Sequence, residues 1–422
     1  MYHKPKFGMT NAPSSADYSA NRRIIVQTFT VPFSTRFLEG QPAFLRQHGY
    51  EVELLTSQNE QLPTWVFEQQ IPHHQVPFRR SWFSLTDDFR CFVILCRYFK
   101  KQNPLVVHGN TPKAAFLSLL AAWLWRVPVR VYELHGLPLE TATGWKRWCI
   151  WLVEKCTCSV ATQVVAVSHS LRVSALKHRL VAPAKIKVLH QGSCSGIDGE
   201  KKFNPQENDS KKLNQLREDW GLRPHQHLVG FVGRLTVEKG LNELYEAWQQ
   251  VKAQCPTARL LLVGQNDERE PLPRTLIEKI QNDVTILATG QIENVRDYYA
   301  LMDFLVLPSH REGFGNVVIE AASMGKPTIA AEVTGLKDAV VANRTGIFCE
   351  VKNSASLAEK ILFYLQNPAT AHQHGQEASA RVARDFSPQD VWTAKLHLYE
   401  GLVAQTRPVP LPNVSPLLQT SH

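Results

Sequence analysis

The chain has 422 residues, 44% of them apolar and 20% charged, which fits a folded protein long enough for two domains and excludes a disordered or fibrous one. Its net charge of +9 is unevenly spread: residues 1–198 hold 23 Lys plus Arg against 12 Asp plus Glu, and the remainder holds 24 against 26. A basic first half asks for an anionic partner, and without zinc-ligand spacing, a basic recognition helix or an aromatic RNA-binding signature that partner is not read as nucleic acid.

In chain order, residues 1–21 are polar and aperiodic and predict a disordered leader. Apolar runs at 24–29, 51–56, 105–108, 129–133, 164–167 and 186–189 read as buried strands, with a helix near 39–48. Strands alternating with helical stretches predict a mainly parallel sheet. The run from Ala114 to Trp125 ends at Arg126 and is too short to cross a bilayer. In 145–155, Trp145, Trp148 and Trp151 alternate with Lys146, Arg147 and Lys155. The rings can pack into the core with the cations in water, or sit at headgroup depth on a membrane. Arg79-Arg80-Ser81-Trp82-Phe83 is a second, weaker cluster of this kind. The polar stretch 199–212 reads as a linker between a first domain at 22–198 and a second at 213–385, followed by a helix at 386–405 and a Pro-rich, disordered tail at 406–422. Eight cysteines lack paired metal spacing, Cys156-Thr157-Cys158 being the one close pair, so free thiols are expected. With no apolar signal core after Met1-Tyr2-His3-Lys4, the expected location is cytoplasmic, with the cytoplasmic face of a membrane as a place to dock.

The most readable chemistry lies between Phe304 and Ala322. The strand Phe304-Leu305-Val306-Leu307-Pro308-Ser309 leads through Arg311-Glu312-Gly313-Phe314-Gly315 into a helix opening near Asn316, with Glu320 one turn in. The glycines let backbone approach a ligand, and the free N–H groups of the helix start favour an anion. Two acceptor-only carboxylates beside it suit sugar hydroxyls. Capping and dipole complementarity alone also produce such a turn. A second anchor, Gly230-Phe231-Val232-Gly233-Arg234-Leu235-Thr236-Val237-Glu238-Lys239-Gly240, again runs from strand to glycine turn. Arg234 and Lys239 there suit a diphosphate, one by forked hydrogen bonds and one as a point charge.

Gly233-Arg234-Leu235 with Glu238-Lys239-Gly240, Leu261-Leu262-Val263-Gly264, Ala288-Thr289-Gly290-Gln291-Ile292, Leu307-Pro308-Ser309, and Glu312-Gly313-Phe314-Gly315 through Glu320 with Gly325-Lys326-Pro327 resemble, in order and spacing over 228–350, the donor half of retaining glycosyltransferases of family 4. The resemblance implies a GT-B fold: α/β, two Rossmann-like doubly wound domains facing across a cleft, with the last helix crossing back to the N-terminal one. It also implies that Arg234 and Lys239 hold and stabilise the leaving diphosphate, Glu320 accepts from the ribose, and Glu312 lies beside the transferred sugar. Gly233, Gly313 and the N–H groups of Phe314, Gly315, Asn316 and Val317 would line sugar and phosphate, and the segment at Ile292 would hold the base. His135-Gly136 matches the position facing the donor sugar, which favours His135 over His108 as a site residue. The loop 31–40 replaces the glycine pair that many members carry there, leaving Gly40 as a remnant donor contact.

The implied reaction is transfer of a hexose or N-acetylhexosamine from a nucleotide diphosphate sugar, UDP-linked by preference, with retention. The acceptor would be a saccharide on polyprenyl diphosphate, as in the subgroup building capsule, O-antigen or N-glycan precursors. No Asp-x-Asp pair occurs, so no metal and no other cofactor is expected. The competing readings are a sugar-nucleotide epimerase of the same architecture and a noncatalytic sugar-nucleotide-binding protein.

Overall fold

A computed structural model describes residues 22–58, 62–79, 84–223, 225–267, 270–292 and 294–406. The expected leader 1–21, most of the 79–83 cluster and nearly all of the tail lie outside the described residues.

Thirteen strands form two sheets among these residues. The first contains β1 (Ile24–Thr28), β2 (Glu51–Thr56), β3 (His73–Gln75), β4 (Val106–Gly109), β5 (Val129–Leu134), β6 (Gln163–Ala166) and β7 (Ile186–Lys187), in the order β3-β2-β1-β4-β5-β6-β7. The second contains β8 (Leu228–Val232), β9 (Arg259–Val263), β10 (Ile286–Gly290), β11 (Phe304–Leu307), β12 (Thr328–Ala331) and β13 (Gly346–Cys349), in the order β10-β9-β8-β11-β12-β13. Every pairing is parallel. Burial on both faces explains why these strands read as continuous apolar runs: β1, β4, β8, β11 and β12 are buried at every position. The edge strand β3, His-His-Gln and wholly exposed, escaped the reading because it carries no apolar signal.

Both sheets reverse their winding once, between β1 and β4 and between β8 and β11. In open α/β sheets the crevice outside the strand ends at such a point is where ligands bind. The loops after β8 and β11 carry the two sequence motifs, so the fold brings both to the same crevice.

Local chemistry corrects several boundaries. The helix expected at 39–48 is Gln41–Gln47, preceded by a 3₁₀ turn Pro32–Leu38 with proline in its first turn. The stretch 199–212 holds a 3₁₀ turn Pro205–Glu207 and the start of a helix Ser210–Asp219, whose cap Asp209 accepts from Lys211 and Lys212 N–H groups. Its polar composition hid a capped, amphipathic start. The last helix, Pro388–Thr406, leaves the second sheet and buries Leu396, Leu398, Tyr399 and Val403 against Ile25, Val106, Val129 and Val131 of the first. It therefore completes one face of the N-terminal core. No helix among the described residues is long and apolar enough to cross a membrane.

Candidate functional site

The turn after β8 places Arg234 and Lys239 at the strand ends. Lys239 closes a short 3₁₀ turn, Val237–Lys239, and Gly240 follows at φ 76, close beneath Pro308, where a side chain would strike the Pro308 carbonyl. That approach brings the β8 loop against the β11 loop. Lys239 Nζ consequently pairs with Glu312 Oε1, and Ser309 Oγ donates to the same oxygen at 3.0 Å. Arg234 points to the other side, pairing with Asp267 Oδ2 at 2.7 Å and with Glu270 at 3.9 Å, its side chain 49% exposed. Arg311 bonds through Nε to Glu238 Oε1 at 2.6 Å, and His310 Nε2 lies 2.9 Å from Glu243 Oε1. The crevice thus holds cations already matched with carboxylates, an arrangement in which an arriving anion exchanges partners.

After β11 the chain turns at Gly315, φ 90, into the helix Asn316–Ser323. The Val318 N–H donates to the Gly315 carbonyl at 2.9 Å, and the N–H groups of Asn316 and Val317 come before the first intrahelical acceptors. Phe314 is 3% exposed, its ring 5.4 Å from that of Phe386, so its side chain packs and its backbone is what a ligand can reach. Asn316 turns its amide toward the N-terminal domain: Ser193 Oγ lies 3.2 Å from its Oδ1, and its Nδ2 lies 3.4 Å from both Cys194 Sγ and Ser195 Oγ. Glu320 accepts from the Tyr299 hydroxyl at 2.8 Å, which fixes one carboxylate oxygen at the helix face. Burial, with the Glu320 charge beside it, pushes the Tyr299 phenol well above its usual range, so it stays a donor.

The N-terminal domain meets this turn through the ends of β5 and β6. Gly313 packs so closely on the His135 carbonyl that a Cβ would overlap it, and Ser168 Oγ donates to Gly313 O at 2.7 Å. Asp338 accepts from His169 N at 3.1 Å and Ser170 N at 3.0 Å, capping a helix of the opposite domain, while Gly335 N donates to Ser170 Oγ at 2.7 Å. The imidazole of His135 is half-buried as a residue, but its Nε2 is enclosed without a partner. Burial first, then the charges of Lys395 and His108, push its pKa down to about 4 against the opposing pull of Glu133. At neutral pH it is a neutral ring at the junction of the domains, able to donate or accept.

His108 is fully buried, with Nδ1 2.6 Å from the Tyr399 hydroxyl and Nε2 3.0 Å from Glu133 Oε2, so it serves the interior. Gly40, φ 82, lies directly under the Trp392 ring, a packing role that loop composition alone could not reveal. Ile292 is partly buried against the core. The structure therefore brings together Lys239, Glu312, Gly313 and His135, pairs Arg234 with Asp267 and Glu320 with Tyr299, and gives Gly40 and Ile292 apolar neighbours. Sequence reading missed Asp267, Tyr299, Ser309 and Asp338; only Ser309, inside the Leu-Pro-Ser motif, carried a signal. Among the described residues no group of three or more His, Cys, Asp or Glu is placed to hold a metal ion.

Along the N-terminal helix Gly144–Val160, Trp145 and Trp148 are 60% and 62% exposed, whereas Trp151 is partly buried and its Nε1 donates to His178 O at 2.9 Å. Core packing therefore accounts for Trp151 and not for the rings of Trp145 and Trp148.

Comparison with known proteins bears on the family and the fold. Residues 213–381 match the model for glycosyl transferases group 1, and residues 37–192 match that for the glycosyl transferase 4-like domain. The capsular polysaccharide biosynthesis glycosyltransferase CapM of Staphylococcus aureus is 29% identical over 90% of this chain and 98% of its own length. A glycogen synthase of Mycobacterium tuberculosis is 32% identical, covering 71% of this chain and 69% of that protein. The Escherichia coli UDP-Gal:alpha-D-GlcNAc-diphosphoundecaprenol alpha-1,3-galactosyltransferase is 25% identical over 69% and 74%. Among solved structures, sucrose-phosphate synthase of Thermosynechococcus elongatus superposes with a TM-score of 0.75 at 22% identity, over 91% of this chain and all of that one. Anabaena HepE in complex with UDP and glucose gives 0.72 at 20%, over 90% and 99%. The chain belongs to the group 1, family 4 glycosyltransferases of GT-B fold and resembles those that assemble capsule and other polysaccharides.

Proposed function

We propose that this glycosyltransferase moves a hexose or N-acetylhexosamine from a UDP-linked donor to a saccharide carried on polyprenyl diphosphate, retaining the anomeric configuration. The observation that carries the reading is the meeting of Lys239, Glu312 and the Gly313–Asn316 turn at the switch point of the second sheet, with Arg234 in the same loop as Lys239 and Glu320 on the helix that the turn opens. Lys239 and Arg234 take up the charge that grows on the diphosphate as the sugar departs. The helix start adds N–H donors on the same side. Glu320, held by Tyr299, accepts from the ribose hydroxyls, and Glu312 with His135 borders the transferred sugar. No protein nucleophile is assigned: the acceptor hydroxyl attacks the anomeric carbon, the C–O bond to the diphosphate breaks on the same face, and the departing diphosphate oxygen takes the hydroxyl proton. Positioning and electrostatics supply the rate.

The lipid carrier is supported by the basic first half, by the exposed Trp145 and Trp148 beside Lys146 and Arg147, and by the diphosphoundecaprenol acceptor that the Escherichia coli relative is named for. Purified enzyme incubated with lipid extract and a panel of labelled UDP-sugars should yield one labelled lipid with an α linkage to be read by NMR. Release of UDP without labelled lipid would count against the lipid acceptor, and an inverted linkage against retention.

A further inference from the structure

Lys395, on the helix that returns from the second domain, is buried to 1% exposure beside Glu133, also at 1%. Its Nζ lies 2.9 Å from Glu133 Oε2 and donates to the Cys194 carbonyl at 3.0 Å. The same carboxylate oxygen has His108 Nε2 at 3.0 Å; Tyr399, one turn along the helix, sits 2.6 Å from His108 Nδ1, and Gln27 Nε2 reaches the Tyr399 hydroxyl at 3.4 Å. Although burial alone would raise the Glu133 pKa, Lys395 and then His108 hold it far below the usual carboxylate range, so the pair is ionic.

Such a pair is not explained by stability. Taking two charges out of water costs several kcal/mol each, and apolar side chains of similar volume commonly serve as well or better. What the ammonium does uniquely is join two segments. Glu133 lies two residues before His135 on the end of β5, and Cys194 belongs to the loop whose Ser193 and Ser195 approach Asn316 at the start of the second domain's helix. One buried cation therefore ties the strand carrying His135 to the loop that meets the Gly313–Asn316 turn.

We infer that Lys395 is a positioning residue for glycosyl transfer, setting the separation between His135 and the Gly313–Asn316 turn. The inference rests on the reading above that Glu312 and His135 border the transferred sugar, with the N–H groups of the turn beside them. Its contribution is geometric: a misplacement of about 1 Å across a reacting site can cost about a hundredfold in rate.

The test compares wild type with Lys395→Met and with Glu133→Gln/Lys395→Met, the second leaving no unpaired buried charge should the first fail to fold. Thermal midpoint, UDP affinity by calorimetry, and transfer from UDP-sugar to lipid extract are measured for each. The expected result is a thermal midpoint close to wild type in the double variant, UDP affinity within about twofold because its proposed contacts are untouched, and kcat lowered about tenfold to a hundredfold with little change in donor KM. A double variant with wild-type kcat overturns the inference, as does a loss of rate that follows a loss of UDP binding or of folding. Wild type that binds UDP yet transfers nothing would instead overturn the functional reading, and this inference with it.

Discussion

Lys239 and Glu312 are ion-paired across the switch point of the second sheet, and Ser309 donates to the same carboxylate oxygen. Their side chains are only 18% and 14% exposed, so the pair is shielded enough to matter, yet its loss opens no core cavity. In the proposed reaction the donor's diphosphate would draw the ammonium from one oxygen acceptor to others, at little cost in desolvation that has not already been met.

Replacing Lys239 by Ala should lower kcat/KM by about a hundredfold to a thousandfold, the range for removing a group that meets developing charge. Arg234→Ala should cost less, because its guanidinium is half exposed and already held by Asp267. Thermal midpoints near wild type would show that folding is not the cause. Near-normal turnover in both variants would sink the leaving-group assignment.

The ribose assignment of Glu320 makes a separate prediction. Tyr299 occupies one oxygen of Glu320 at 2.8 Å and leaves the other to a ligand. Glu320→Gln should raise donor KM about tenfold, the worth of a charge-assisted hydrogen bond. More tellingly, the variant should bind UDP and its 3′-deoxy analogue alike, where wild type prefers UDP. An unchanged preference in calorimetry would remove Glu320 from the ribose.

The reach of sequence over this molecule follows from what each signal depends on. Strands buried on both faces announce themselves by composition, and β8 and β11 were located with the motifs that follow them. The Lys239–Glu312 pair joins residues 73 apart, and its members were each legible from loop chemistry although their direct contact was not. Contacts without a local pattern were invisible: Lys395 sits 262 residues from Glu133 in an ordinary amphipathic helix, and Asp338 caps a helix of the other domain. A glycine after the first strand is compatible with a ligand or with a bulky neighbour, and the sequence could not show that Trp392 lies over Gly40.

Glu154 supplies a pH dependence of folding. It is 1% exposed on the helix Gly144–Val160, accepts from the Tyr132 hydroxyl at 2.8 Å through one oxygen, and has no partner for the other. Burial raises its pKa from 4.5 to about 7, against the weaker pulls of Tyr132 and of Arg311 from the second domain. Between those two values the unfolded chain has released a proton that the folded chain keeps, so the folded state loses stability as pH rises through this window and regains none above it. Glutamine keeps an oxygen for Tyr132 and carries no charge at any pH. Glu154→Gln should therefore melt close to wild type at pH 5 and several degrees higher at pH 8, with the gap opening between. Because His108, His135 and every other titrating group are common to both proteins, their contributions cancel in the difference. A gap that is constant from pH 5 to pH 8, measured by calorimetry in buffers of matched ionic strength, would mean that Glu154 ionises in the folded protein as it does in water.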